Sequence, residues 1–183
     1  MTVRSVCVFC GSRMGRDARY GEDATAVGEM LAEHGWRLVY GAGDVGLMGA
    51  TARAAQAAGG ETLGVIPAHL VAMEVAKRDL THYVVTQTMH ERKTVMFMNS
   101  DVIVILPGGA GSLDEFFEVL TWRQIGLHSK PLFILNTNGY WAPLLQLTEH
   151  IIAEGFADAS LRDFLRPVDS VQELATALRA ALS

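Results

Sequence analysis

Asp101-Val102-Ile103-Val104-Ile105-Leu106 runs without a break into Pro107-Gly108-Gly109-Ala110-Gly111-Ser112-Leu113-Asp114-Glu115. The five aliphatic residues behind Asp101 have no polar alternation, as expected of a central parallel strand covered on both faces. Leu113–Ile125 has the composition of a helix, so the glycines lie between a buried strand and a helix start. Glycine lets backbone approach a ligand closely. The N–H groups of such a loop, with the helix N-terminus, form a phosphate cradle from Gly109, Ala110, Gly111, Ser112, Leu113 and Asp114. Ser112 and Glu115 also fit an S-x-x-E capping box, in which Glu115 would only close the helix. A capping box has no need of the three preceding glycines, and they favour the phosphate.

Outward from this segment, short apolar runs alternate with longer helical ones. Upstream, strands are expected at Val3–Phe9, Arg37–Tyr40, Thr62–Ile66 and Tyr83–Thr86. The intervening helices are Arg19–His34, with Val27, Met30 and Leu31 on one face, Leu47–Ala58 and Glu91–Asn99. Gly35 and Gly59-Gly60 end the first two helices. Downstream lie a strand at Pro131–Leu135 and helices at Trp141–Glu154 and Val171–Leu182. This alternation predicts one α/β domain over residues 1–183: a Rossmann-like, doubly wound parallel sheet with helices on both faces and Asp101–Leu106 near its centre. Ligands of such sheets bind beyond the carboxyl ends of the strands. The loops concerned are Gly11–Arg16, Gly41–Gly46, Pro67–Glu74 and Pro107–Ser112.

Composition narrows the class. The chain has 183 residues, 50% hydrophobic and 19% charged, which suits one domain with a sizeable core. Its formal net charge is −5 and no Lys/Arg run occurs, which speaks against a nucleic-acid polymer as partner. The N-terminal MTVRSVCVFCGSR lacks the apolar region of a signal peptide, and no apolar run has membrane-spanning length. A cytoplasmic location is expected. Cys7 and Cys10 form a C-x-x-C, but Cys7 lies inside a strand, and an odd separation sends the two side chains to opposite faces. No further ligands have zinc spacing, so buried, reduced thiols and no metal are expected.

Gly41-Ala42-Gly43-Asp44-Val45-Gly46 matches G-x-G-x-x-G literally. A dinucleotide site would also want an acidic residue at the end of the next strand, yet that strand ends Gly64-Val65-Ile66-Pro67. A loop facing the sugar or phosphate of a mononucleotide fits better, with Ser12 and Gly43 as contacts. His90-Glu91-Arg92-Lys93 begins the helix before the central strand. Such residues usually make a solvated face, but here they lie beside the glycine loops, where an arginine can grip an anion in bidentate fashion. Glu74 follows Pro67 in a loop that reaches a ribose hydroxyl or base.

Taken together, VCVFCGSR, YGAGDVGLMG, GVIPAHL, MHERK, LPGGAGSLDEFFEVLTW and GLHSKP resemble the LONELY GUY (LOG) family of cytokinin riboside 5′-monophosphate phosphoribohydrolases. Members of that family were long mislabelled lysine decarboxylases. The likeness covers nearly the whole chain, and the family's P-G-G-x-G-T-x-x-E signature with an upstream R-K is specific. The resemblance implies that Arg92 and Glu115 form the catalytic pair. It further implies that Glu74, Lys93, Thr121 and the Gly109–Glu115 stretch bind the nucleotide, with no cofactor. It implies a homodimer or larger assembly whose partner helps complete the site. Ser112 stands where the family usually has Thr, Ala42 replaces a common Gly, and Ala110 a commonly aromatic or Gly position.

The implied chemistry is consistent. Cleaving a base–ribose bond develops positive charge on the sugar, which a carboxylate beside C1′ stabilises while it orients or deprotonates water. Arg92 could fix the phosphate, hold Glu115 ionised or steady the leaving base. An N6-prenylated AMP or plain AMP fits as substrate, with Met89, Met96, Met98, Phe116 and Trp122 as candidates for an apolar slot. A decarboxylase would need a pyridoxal phosphate lysine, and Lys77, Lys93 and Lys130 read as surface or anion-contacting residues. The alternative is a non-catalytic carrier of a phosphate ligand such as molybdenum cofactor, which has no need of a carboxylate at the anion site. Phe116, Phe117, Leu120 and Trp122 give the Leu113–Ile125 helix more apolar surface than one sheet face needs, which also predicts a homodimer.

Overall fold

The computed structural model describes residues 3–71 and 76–183. In chain order the elements are β1 (Ser5–Phe9), α1 (Ala18–Glu33), β2 (Arg37–Tyr40), α2 (Gly46–Ala57), β3 (Thr62–Pro67) and β4 (His82–Thr86). They continue with α3 (Met89–Met98), β5 (Val102–Ile105), α4 (Ala110–Gln124), β6 (Leu132–Leu135), α5 (Ala142–Ala153), α6 (Leu161–Phe164), β7 (Leu165–Val168) and α7 (Val171–Leu182). The strands form one sheet in the order β4-β3-β2-β1-β5-β6-β7, with every pairing parallel. The chain thus winds outward from β1 to β4, returns through α3, and winds the other way from β5 to β7.

Side-chain alternation along the strands divides the core into two layers. Val6, Val8, Leu38, Tyr40, Val102 and Val104 face α1, α2 and α7, packing on Val27, Leu31, Ala52, Leu174 and Leu178. Cys7, Phe9, Val39, Ile103 and Ile105 face α3 to α6, packing on Met96, Phe116, Val119, Leu144 and Leu161. The doubly wound reading is met, and β5 lies beside the central strand with neighbours on both sides. Cys7 and Cys10 are free, buried thiols in opposite layers. Among the described residues no helix is long and apolar enough to cross a membrane.

Two segments differ from expectation. Leu165–Val168 was not anticipated as a strand because it contains Pro167 and Arg166. As the edge strand β7 it pairs on one side only, where a missing N–H is tolerated. The second difference is the start of α4, which begins at Ala110 with Gly109 as N-cap. Ser112 is therefore a buried residue inside the helix, and Glu115 sits beyond the first turn. The Ser112–Glu115 capping box does not form. On α3 the N-cap is a side chain: the Thr88 hydroxyl accepts from Glu91 N–H at 3.1 Å, and the Glu91 carboxylate accepts from Gln87 N–H, one residue before the cap, at 2.8 Å.

The Gly41–Gly46 loop turns on Ala42, which is fully buried with φ 58°, a left-handed conformation that strains a residue bearing a Cβ. Its carbonyl accepts from Lys77 N–H at 3.0 Å, and Gly43 bridges to Ala76. A Cβ on Gly64 in β3 would lie 2.8 Å from the Ala42 methyl. Gly64→Ala is therefore expected to destabilise the fold by about 1–3 kcal/mol through overpacking. Ala42→Gly in the same chain should return roughly 0.5–1 kcal/mol of that as a coupling term. Denaturant unfolding of the four chains of the double-mutant cycle measures it, and strict additivity would refute the contact.

Candidate active site

The reversal of winding between β1 and β5 leaves a crevice at their carboxyl ends. There Gly11 N–H donates to the Pro107 carbonyl at 3.0 Å and joins the two loops. A cavity of about 550 Å³ opens above this seam. The loop after β1 (Cys10–Gly15), the start of α2 (Leu47, Met48), Met89 and Arg92 of α3, and Pro107–Ser112, Asp114 and Glu115 line it. Leu70, Tyr20 and Tyr140 complete the wall.

The N-terminus of α4 faces this cavity with its donors unmet. Asp17, Thr88 and Ser170 cap α1, α3 and α7 with side-chain hydrogen bonds. At α2, the Leu47 and Met48 N–H groups go to the Gly11 carbonyl, at 3.0 and 3.4 Å. No side chain caps α4, and Leu113 N–H, bonded to the Gly109 carbonyl at 3.1 Å, is the first in the helix to find a backbone acceptor. Ala110, Gly111 and Ser112 thus offer N–H groups at the positive end of the helix dipole, a ready anion site.

Arg92 is buried, 5% exposed, and reaches from α3 across the ends of β2 and β3. Its Nε donates to the Val65 carbonyl at 3.1 Å and its Nη2 to the Gly41 carbonyl at 2.7 Å. Any side chain at position 41 would collide with the guanidinium, which explains a glycine there. Nη1 lies 3.7 Å from the Met89 sulfur, a weak acceptor, so this end of the fork keeps donor capacity toward the cavity.

Glu115 lines the same cavity, and the two side chains form no direct ion pair. Although the residue is partly exposed, burial of its carboxyl pushes its pKa up from 4.5 to about 7. Arg92 opposes that rise and Asp114 adds to it. A carboxyl poised near neutrality in a cleft beside a buried cation is the setting of a general base.

The remaining candidates divide. Ser12, Gly109, Ala110, Gly111, Ser112 and Asp114 line the cavity, and Leu113 packs against the core. Lys93 is buried outside it, with Nζ 2.9 Å from Asp114 and 3.0 Å from Glu118. Burial opposes its charge, but the hydrogen bonds it donates to both carboxylates win and raise its pKa. Its role toward the cavity runs through Asp114. Gly43 is buried behind its loop, and this part of the chain meets the cavity only at Leu47 and Met48 of α2. Thr121 is exposed on α4, away from the cavity, and donates to the Phe117 carbonyl at 2.7 Å. Glu74 lies outside the described residues.

Of the candidates for an apolar slot only Met89 lines the cavity. Met96 and Phe116 are core, Trp122 packs against the core, and Met98 projects from the other end of α3, 70% exposed. Met14, Met48 and Leu70 supply the apolar wall instead. None of the three lysines lines the cavity: Lys77 is buried and pairs with Asp79 at 2.9 Å, and Lys130 donates to the Phe97 and Ser100 carbonyls. Tyr140 escaped the sequence reading because the loop after Leu135 was not counted among those at the carboxyl ends. Its place beside β5 in the sheet was the missing signal.

A family described as "possible lysine decarboxylase" matches residues 48–178. The cytokinin riboside 5′-monophosphate phosphoribohydrolase of Rhodococcoides fascians is 43% identical over 180 residues, spanning 98% of this chain and 91% of the relative. A probable enzyme of the same name from Oryza sativa subsp. japonica is 41% identical, spanning 98% and 78%. Among solved structures, the molybdenum cofactor carrier protein of Chlamydomonas reinhardtii superposes with a TM-score of 0.75 at 21% identity over 99% of both chains, a likeness of fold.

The raised pKa of Glu115 has a consequence for stability. Below 4.5 the carboxyl is protonated in folded and unfolded chains alike and has no effect. Between 4.5 and about 7 only the unfolded chain ionises, so stability falls as pH rises, and the full penalty is present above about 7. Glu115→Gln is expected to stabilise the fold by up to about 3 kcal/mol at pH 8 and to change little at pH 4. Denaturant unfolding at the two pH values checks this, and an equal effect at both would refute it.

Proposed function

The chain belongs to the LOG family, and from that membership and the cavity at the β1–β5 seam we propose that it hydrolyses the base–ribose bond of a nucleoside 5′-monophosphate. The products are the free base and ribose 5-phosphate, and N6-prenylated AMP and AMP are the substrates of choice. The observation that carries the reading is the convergence on one cavity of an uncapped helix N-terminus, a buried arginine with free donors and a carboxyl poised near neutrality.

In this mechanism the 5′-phosphate sits on the N–H groups of Ala110, Gly111 and Ser112, which fixes the ribose below it. As the bond from C1′ to the base nitrogen lengthens, positive charge builds on the ribose ring, and ionised Glu115 stabilises it. Water adds to C1′, its proton passes to Glu115, and the base leaves with the bonding electron pair and takes up a proton. The remaining Arg92 donors face the anionic groups of the substrate. The family description as a decarboxylase finds no support in the lysines, each of which is held elsewhere.

Incubation with AMP and with isopentenyladenosine monophosphate, followed by chromatography, should yield free base and ribose 5-phosphate. Adenosine should be a poor substrate, and equal turnover of adenosine and AMP would remove the phosphate from the mechanism. Turnover should rise with pH through about 7 as Glu115 ionises. Glu115→Gln should abolish that limb and lower kcat roughly 100-fold or more with substrate binding retained. Arg92→Lys should also fail, because an ammonium cannot span two carbonyls and the ligand.

The second copy of this chain is the proposed partner. Met98, Ile125 and Leu127 are 70%, 64% and 68% exposed at the ends of α3 and α4, beside the half-buried Phe97 and Trp122. A homodimer covering this face would bury them and carry Thr121 toward the neighbouring cavity. Sedimentation should give a dimer at micromolar concentration, and monomer alone would overturn the assignment.

A further inference from the structure

The turn between β6 and α5 is tied down from three directions. Thr137 donates to the buried Asp23 carboxylate of α1 at 2.7 Å, and Asp23 also pairs with Arg19 at 3.1 Å. Asn138, in a left-handed conformation at φ 51°, donates to Asp17 at 2.8 Å. The third tie is Tyr140, whose hydroxyl donates to the Gly108 carbonyl at 2.5 Å. Its ring meets Tyr20 edge-on at 5.4 Å and Trp141 at 4.8 Å, so its direction is fixed by packing.

The place where this hydroxyl lands matters. A peptide unit is planar and trans, so the carbonyl of one residue and the N–H of the next point in opposite directions. The Pro107 carbonyl is held by Gly11 N–H, and the next carbonyl, of Gly108, by Tyr140. Each tie directs the N–H across its own peptide, on Gly108 and on Gly109. Gly109 has no Cβ contact to restrain it, and a glycine–glycine peptide can turn over with little steric penalty. Without the hydroxyl, no other hydrogen bond among the described residues holds the Gly108 carbonyl in place.

We infer that Tyr140 is a positioning residue of the phosphate site: its hydroxyl locks the Gly108–Gly109 peptide with the Gly109 N–H turned toward the anion, extending the cradle begun by α4. This rests on the phosphate reading of the α4 N-terminus given above. The turn that carries Tyr140 is anchored on α1 by Asp17 and Asp23, so the lock is part of the resting fold and does not depend on substrate closure.

Tyr140→Phe keeps the ring packing and removes only the hydroxyl. KM for AMP and the inhibition constant of ribose 5-phosphate should rise about tenfold together. Turnover at saturation should change less than twofold, and Tm should stay within about 2 °C of the parent. Calorimetric binding of AMP and of adenosine provides a readout independent of turnover, with AMP weakened and adenosine unaffected. An unchanged KM and AMP affinity overturns the inference, as does a fall in kcat with KM preserved, or equal weakening of AMP and adenosine. If the parent binds AMP without hydrolysing it and Tyr140→Phe weakens that binding, the lock stands and the hydrolytic reading falls. Turnover in the parent with an indifferent Tyr140→Phe sinks the lock and leaves the hydrolytic reading in place.

Discussion

Right-handed crossovers force the site into being. A chain leaving β1 toward β2 must place its helix on one face of the sheet, and a chain leaving β5 toward β6 must place its helix on the other. The loops at the carboxyl ends of these adjacent strands therefore diverge, and no helix can close the gap between them. Gly11 N–H bonded to the Pro107 carbonyl is the floor of that gap. The uncapped end of α4 rises from one side of it, and the start of α2, held on the Gly11 carbonyl, from the other.

Arg92 shows how the sheet itself completes the crevice. Its guanidinium is anchored by two backbone carbonyls, of Gly41 just past β2 and of Val65 within β3, with no carboxylate as partner. The carbonyls orient the group without neutralising it, so a positive charge stays at the cavity wall. Burying such a charge is unfavourable, and an anionic ligand relieves it. A Cβ at position 41 would displace the guanidinium from this wall, since the group occupies the volume that Cβ would take. The absence of a side chain at the end of β2 is therefore a property of the site, as is the arginine of α3.

Glu115 carries the opposite tension. Burial holds its carboxyl near neutrality, at a standing loss of stability once it ionises, and Arg92 offsets only part of this. A structural capping residue would show no such conflict. The neighbouring Asp114 and Glu118 both pair with buried Lys93, so of the two carboxyls that line the cavity, Asp114 and Glu115, only Asp114 has an ion-pair partner.

The order of strands and helices, the covered central strand and the Gly108–Gly111 turn were legible in the sequence, because each rests on local periodicity and on the conformational range of glycine. Arg92 and Glu115 were legible as candidates through a motif. Where α4 begins was not: Ser112 and Glu115 satisfy the local pattern of a capping box, but the folded chain takes Gly109 as N-cap and starts the helix two residues before Ser112, at Ala110. Strand β7 was hidden by Pro167, since only its place at the sheet edge makes a missing donor harmless. Gly43 and Tyr140 exchanged importance for one reason: proximity to the cavity depends on which strand neighbours which. By itself the sequence determined what each segment prefers to be. Only the tertiary structure decided which loops meet, because the order β4-β3-β2-β1-β5-β6-β7 brings residues 11, 92, 108, 115 and 140 to one crevice through contacts that no local pattern encodes.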